Sequence, residues 1–147
     1  MPTYSAAVPA RTHSALALGA VCLVALAGCG AAPTVLHGDE QTRLLVSGDA
    51  NSQDVRLSGT LVILPGGCLG IDSGKTPSVI AWPPGTTFAG GETIGIRLPE
   101  GRVIRVGDIV HAGGGALDPS DPATPPKPGG CPAGQIFTVS DVALPPR

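Results

Sequence analysis

The chain has 147 residues, a formal net charge of −2, 42% hydrophobic residues and only 3% aromatic ones. This length suits one small domain whose core must rest on Val, Ile and Leu, and the lack of any basic cluster argues against nucleic acid as a partner, because phosphate neutralisation supplies most of that affinity. The 22 glycines and 16 prolines fall mostly between apolar runs, where turn residues belong.

The first element is an apolar run from Ala15 to Leu26, preceded by Arg11 and His13 and closed by Ala27-Gly28-Cys29. A helix that spans a bilayer takes about 20 apolar residues, whereas a secretory leader carries about 7 to 15 behind a positive start. The run therefore reads as a leader. Leu26-Ala27-Gly28-Cys29 resembles the lipobox of bacterial lipoproteins. The resemblance implies that a diacylglyceryl group with palmitate-type chains is joined to the Cys29 sulfur. It also implies that a signal peptidase recognises Leu26, Ala27 and Gly28 and removes residues 1–28. The product would then be anchored in the cell membrane at its extracytoplasmic face. An ordinary signal peptide with an incidental cysteine is the alternative.

Residues 29–41 show no helical period and read as a lipidated tether, followed by a domain over 42–147. Arg43 to Val46 is a short strand or the docking point of the tether. From Asp54 to Leu64, Val55, Leu57, Leu61 and Ile63 fall on one face and Arg56, Ser58 and Thr60 on the other, with Gly59 as a bend. Pro65-Gly66-Gly67 turns the chain into Cys68 to Ile71. The next strand is Ser78 to Trp82, ended by Pro83-Pro84-Gly85. Thr93 to Leu98 and Arg102 to Val106 form the clearest hairpin. Ile109 to His111 is followed by a long Gly/Pro loop over 112–130, and Gln135 to Leu144 is the last strand.

Five to six short strands without helices predict an all-β domain, an OB-like or partly closed β-barrel in which closure removes exposed sheet edges. A β-sandwich is the alternative. Of the four cysteines, Cys22 leaves with the leader and Cys29 is committed to lipid, so Cys68 and Cys131 remain. Outside the cytoplasm two such cysteines most often form a disulfide bond. Separate thiols or half a metal site are the other readings, although no further ligand flanks either residue.

Gly67-Cys68-Leu69-Gly70, Trp82-Pro83-Pro84-Gly85-Thr86 and Gly107-Asp108-Ile109-Val110 through Gly113-Gly114-Gly115 resemble a family of small, largely uncharacterised lipoproteins of high-GC Gram-positive bacteria. The resemblance covers roughly Gly59 to Leu144 and implies the limits of the domain. It brings no activity with it.

Several residues could carry chemistry. Gly70 to Thr76 nearly spells a phosphate-binding loop, but it has one residue too few between its glycines and a proline where a helix should open. Trp82 either caps the core or offers a stacking platform for a ligand. Arg97, Arg102 and Arg105 share one hairpin and form a basic strip for anionic envelope material, or a solvated face. His111 could act as a base with Asp108, or bind a metal with Asp118 and Asp121, with Ser73 and Ser120 as available nucleophiles. The expectation is a non-enzymatic, lipid-anchored module that binds an envelope protein or polymer, without cofactor or metal and without nucleic acid. A small hydrolase or metal-dependent enzyme built on His111 and the nearby Asp residues is the alternative.

Overall fold

The computed structural model describes residues 31–39, 41–48, 54–118 and 120–145. The segment 1–28 expected to be a leader, and Leu26, Ala27, Gly28 and Cys29 of the expected lipobox, lie outside the described residues. The strands are β1 (Thr34–His37), β2 (Arg43–Val46), β3 (Val55–Ile63), β4 (Leu69–Asp72), β5 (Ser78–Trp82), β6 (Thr87–Ala89), β7 (Gly95–Arg97), β8 (Val103–Arg105), β9 (Ile109–Leu117) and β10 (Ile136–Ala143).

The long third strand organises the rest. Its first part pairs with β9 from Val55↔Gly114 to Thr60↔Ile109, and its second part pairs with β4 from Thr60↔Asp72 to Ile63↔Leu69. Gly59 stands at the bend, where an added Cβ would collide with the carbonyl of Asp72. Only glycine lets the two strands approach so closely. β4 then pairs with β5, β5 runs parallel to β10, and β10 returns to β9. The ring β3-β4-β5-β10-β9 is closed. Counted in chain order its strands run 1-2-3-5-4-1, the arrangement of an OB barrel. Closure overturns the β-sandwich alternative.

Two additions complete the fold. The hairpin β1–β2 attaches to the C-terminal half of β5 through Leu45↔Ala81 and Val46↔Trp82, along the edge whose other half β4 occupies. The sheet β6-β7-β8 is inserted between β5 and β9 and buries Ile96, Leu98 and Ile104 in the barrel core.

Alternation along β5 makes two cores. Ile80 and Trp82 point into the barrel with Leu44, Leu61, Leu69 and Ile71, while Val79 and Ala81 point outward onto Leu45, Leu64, Leu117 and Ile136. From Val79 on the strand is buried on both faces, so Val79 to Trp82 reads as one continuous apolar run. The loop from Asp118 to Gln135 covers the outer core. Cys68 and Cys131 stand at disulfide distance there, with Cα atoms 5.8 Å apart, within the usual range for a bridge. The Arg43 guanidinium fixes the same corner, donating through Nη1 to the carbonyls of Gly66 (2.8 Å) and Gly129 (3.0 Å).

Three expectations need correction. The segment 29–41 is not all tether, because Thr34 to His37 pair residue by residue with Arg43 to Val46. The loop over 112–130 begins later, since β9 continues to Leu117. Its glycines were misleading: a Cβ on Gly113 would strike the Asp141 carboxylate and one on Gly114 the carbonyl of Thr138. They are there to let β10 close in. Finally, of the apolar face assigned to β3 only Leu57 and Leu61 turn inward, whereas Val55 is 48% and Ile63 42% exposed.

Candidate functional site

Trp82 is completely buried. Of its two readings, core residue or ligand platform, the structure shows the first; β5 alternation places it among the barrel's inward residues. Arg97 and Arg105 lie on one small sheet, whereas Arg102 sits in the turn before β8, across from buried Leu98. Inward Ile96 and Ile104 set Arg97 and Arg105 on the opposite, outer face of β7 and β8. Arg97 Nη1 donates to the Gly101 carbonyl at 3.2 Å and Arg105 Nη1 to that of Thr93 at 2.7 Å. Arg102 forms an ion pair with Glu100 at 2.7 Å. A hydrogen bond from its own backbone N–H, together with the Arg102 guanidinium, holds the Glu100 carboxyl below the usual range.

The grouping of His111 with Asp108, Asp118 and Asp121 is not realised. Asp108 accepts from the backbone N–H of Arg105 at 2.8 Å, closing a turn. Asp118 accepts from both the hydroxyl and the N–H of Ser120, which lower its pKa in that order. Asp121 accepts from the N–H of Ala123. Each carboxylate caps its own loop. Ser73 lies in the exposed turn after β4, where Asp72 accepts from the Gly74 N–H. No helix follows that turn; β5 does, as the failed phosphate-loop pattern implied. The partner of His111 is instead Ser58, directly opposite in the β3–β9 register, with 2.8 Å between Nδ1 and Oγ. Among the described residues no group of three or more His, Cys, Asp or Glu side chains converges to hold a metal.

OB barrels use the face of strands two and three and the flanking loops to take oligonucleotides and oligosaccharides. Here those loops are the 64–68 turn and the segment 118–135, which come to disulfide distance at Cys68 and Cys131. The chain's own residues fill the outer face of β5 between them.

Shallow clefts of about 340 Å³ at Arg43, Gly66 and Gly129 and about 210 Å³ at Thr124, Pro126 and Gly134 border these loops, and another concavity lies apart from them. A cleft of about 370 Å³ runs between the β1–β2 turn and the β6–β7 connection, lined by Asp39, Thr42, Phe88, Glu92, Ile94 and several glycines. Half-buried Phe88 lays its ring against Gly38, where an added Cβ would come within 3.0 Å of the ring edge. Asp39 is kept below the usual carboxylate range by the Thr42 hydroxyl and then by the Thr42 N–H, which it accepts at 2.8 Å. The cleft thus combines one aromatic surface, bare glycine backbone and two carboxylates. It suits a small polar ligand that brings hydrogen-bond donors and one apolar face.

Comparison of the chain with protein-family models, curated proteins and solved structures finds no match. The residues and their geometry carry the functional argument.

Sequence reasoning missed this cleft. β6 has three residues set between Pro83-Pro84-Gly85 and Gly90-Gly91, too short to show a period. The pair of glycines beside a lone phenylalanine was the only available sign. Ser58 was placed correctly on the outward face of β3, but a cross-strand partner depends on register, which one strand alone does not specify.

Proposed function

We propose that the protein is a lipid-anchored lipoprotein of the cell envelope, held in the membrane through Cys29, whose barrel acts as a non-enzymatic binding module at the extracytoplasmic face. The run Leu26-Ala27-Gly28-Cys29 behind an apolar leader carries this reading. A cysteine pair at disulfide distance supports it, because such bonds persist in oxidising compartments. At roughly 0.8 kcal/mol per buried CH₂, the two chains of a diacylglyceryl group suffice for stable anchoring. The cleft beside Phe88 supports the binding role, with an envelope polymer or peptide as the partner class. The family resemblance to small lipoproteins belongs to the same proposal.

The test is Cys29→Ala in the native host. The expected result is an uncleaved precursor or a domain released from the membrane fraction. Normal processing with full membrane retention refutes the assignment.

One observation favours a second reading. Ser58 and His111 place a nucleophile and a base within hydrogen-bond reach, so a hydrolase would use this pair rather than the Asp108 to Asp121 groups. It predicts that a fluorophosphonate probe labels the protein and that Ser58→Ala abolishes the label. If the probe leaves wild-type protein unlabelled, this reading is removed.

A further inference from the structure

The chain beside the anchor is docked, and this fixes which side of the domain meets the membrane. Ala31 to Pro33 lie against Gly48: an added Cβ there would come within 2.8 Å of the Ala31 carbonyl oxygen and 3.4 Å of the Pro33 ring. The same glycine contacts the loop before β10, donating its N–H to the Ala123 carbonyl at 3.0 Å. Pro33 then leads directly into β1, whose register with β2 is complete from Thr34↔Val46 to His37↔Arg43. Only Gly30 separates the docked segment from Cys29. Two residues reach at most about 7 Å.

We propose that the anchored domain stands on the bilayer with the surface formed by Ala31, Ala32, Pro33 and Ala123, which covers the buried Gly48, against the lipid headgroups, and with the cleft beside Phe88 directed away from them. The inference rests on Cys29 being lipidated. The leash is too short for another side of the domain to reach the headgroups while Ala31 to Pro33 stay docked. β1 runs away from the anchor, and at about 3.4 Å per residue it carries the chain roughly 10 Å from Thr34 to His37, the residue before Gly38 and Asp39 at the mouth of the cleft. The turn from Asp72 to Pro77 is also remote, because it precedes Ser78, at the end of β5 opposite the Trp82 that pairs with Val46. A partner in the envelope would find the cleft open, whereas the Asp118 to Ala123 segment is covered by headgroups.

The test uses the mature lipidated protein, isotopically labelled, in phosphatidylcholine nanodiscs containing a small fraction of headgroup nitroxide lipid. Paramagnetic broadening is expected to be several-fold stronger at the amides of Ala31, Gly48 and Ala123 than at those of Gly74, Lys75, Gly90 and Gly91. A flexible Gly/Ser spacer of about ten residues between Gly30 and Ala31, with an r.m.s. span of about 17 Å, should level this difference while lipid and disc binding remain. Gly48→Leu, which displaces Ala31, should weaken it in the same way. Lipidated, disc-bound protein with uniform broadening, or with the strongest broadening at Gly90 and Gly91, overturns the orientation alone. Protein whose mass shows no lipid on Cys29 overturns the anchoring on which it depends.

Discussion

Trp82→Ala is expected to destabilise the domain by about 3–5 kcal/mol, the range for truncating a large buried aromatic. It should appear as a lower urea midpoint with little change in slope. The side chain is fully enclosed in the barrel, where it is the largest of the buried residues, and few other aromatics are available to fill the space. Its indole N–H has no hydrogen-bond partner among the described residues. An unsatisfied buried donor costs about 1–3 kcal/mol, so Trp82→Phe removes that cost along with part of the ring. The phenylalanine variant should therefore lose less than half as much stability as the alanine variant. Equal midpoints for Trp82→Ala and wild type would mean that the indole lies at the surface, where the sequence left room for a ligand platform.

The second large effect belongs to the cysteine pair. A bond between Cys68 and Cys131 closes a loop with a sequence separation of 63, for which the chain-entropy model gives about 4 kcal/mol. Small domains are stable by about 5–15 kcal/mol in total, so this is a large share. The bond would also join the 64–68 turn to the segment over the outer core, adding to the apolar contacts of Leu45, Leu64, Val79, Ala81, Leu117 and Ile136 and to the hydrogen bonds from Arg43 to Gly129 and from Gly48 to Ala123. Unfolding of wild-type protein with and without reductant should differ by about that amount. The double variant Cys68→Ala, Cys131→Ala should match reduced wild type and no longer respond to reductant. A wild-type midpoint insensitive to reductant would show that the two sulfurs are not bonded.

The barrel was legible because part of β3 alternates and the turns carry glycine and proline where the backbone needs them. β3 with its Gly59 bend, β5 between two loops and the β7–β8 hairpin all follow from local pattern. The missing parts depend on partners distant in sequence. Thr34 to His37 is a strand because β2 offers it an edge, and Ala112 to Leu117 is one because β10 requires glycines opposite it. Trp82 alternated inward with Ile80, yet a lone tryptophan before two prolines also suits an exposed platform; only the closed ring decides between them. The cleft at Phe88 and the Ser58–His111 pair are products of register and loop packing. No single stretch of sequence encodes either.

The most direct test of the account is the intact mass and N-terminal peptide of the protein taken from native membranes. The account predicts a chain that starts at Cys29 and carries a thioether-linked diacylglyceryl group, with Cys68 and Cys131 oxidised. A chain still beginning upstream of Cys29, or one with a free Cys29 thiol recovered from the soluble fraction, would contradict it.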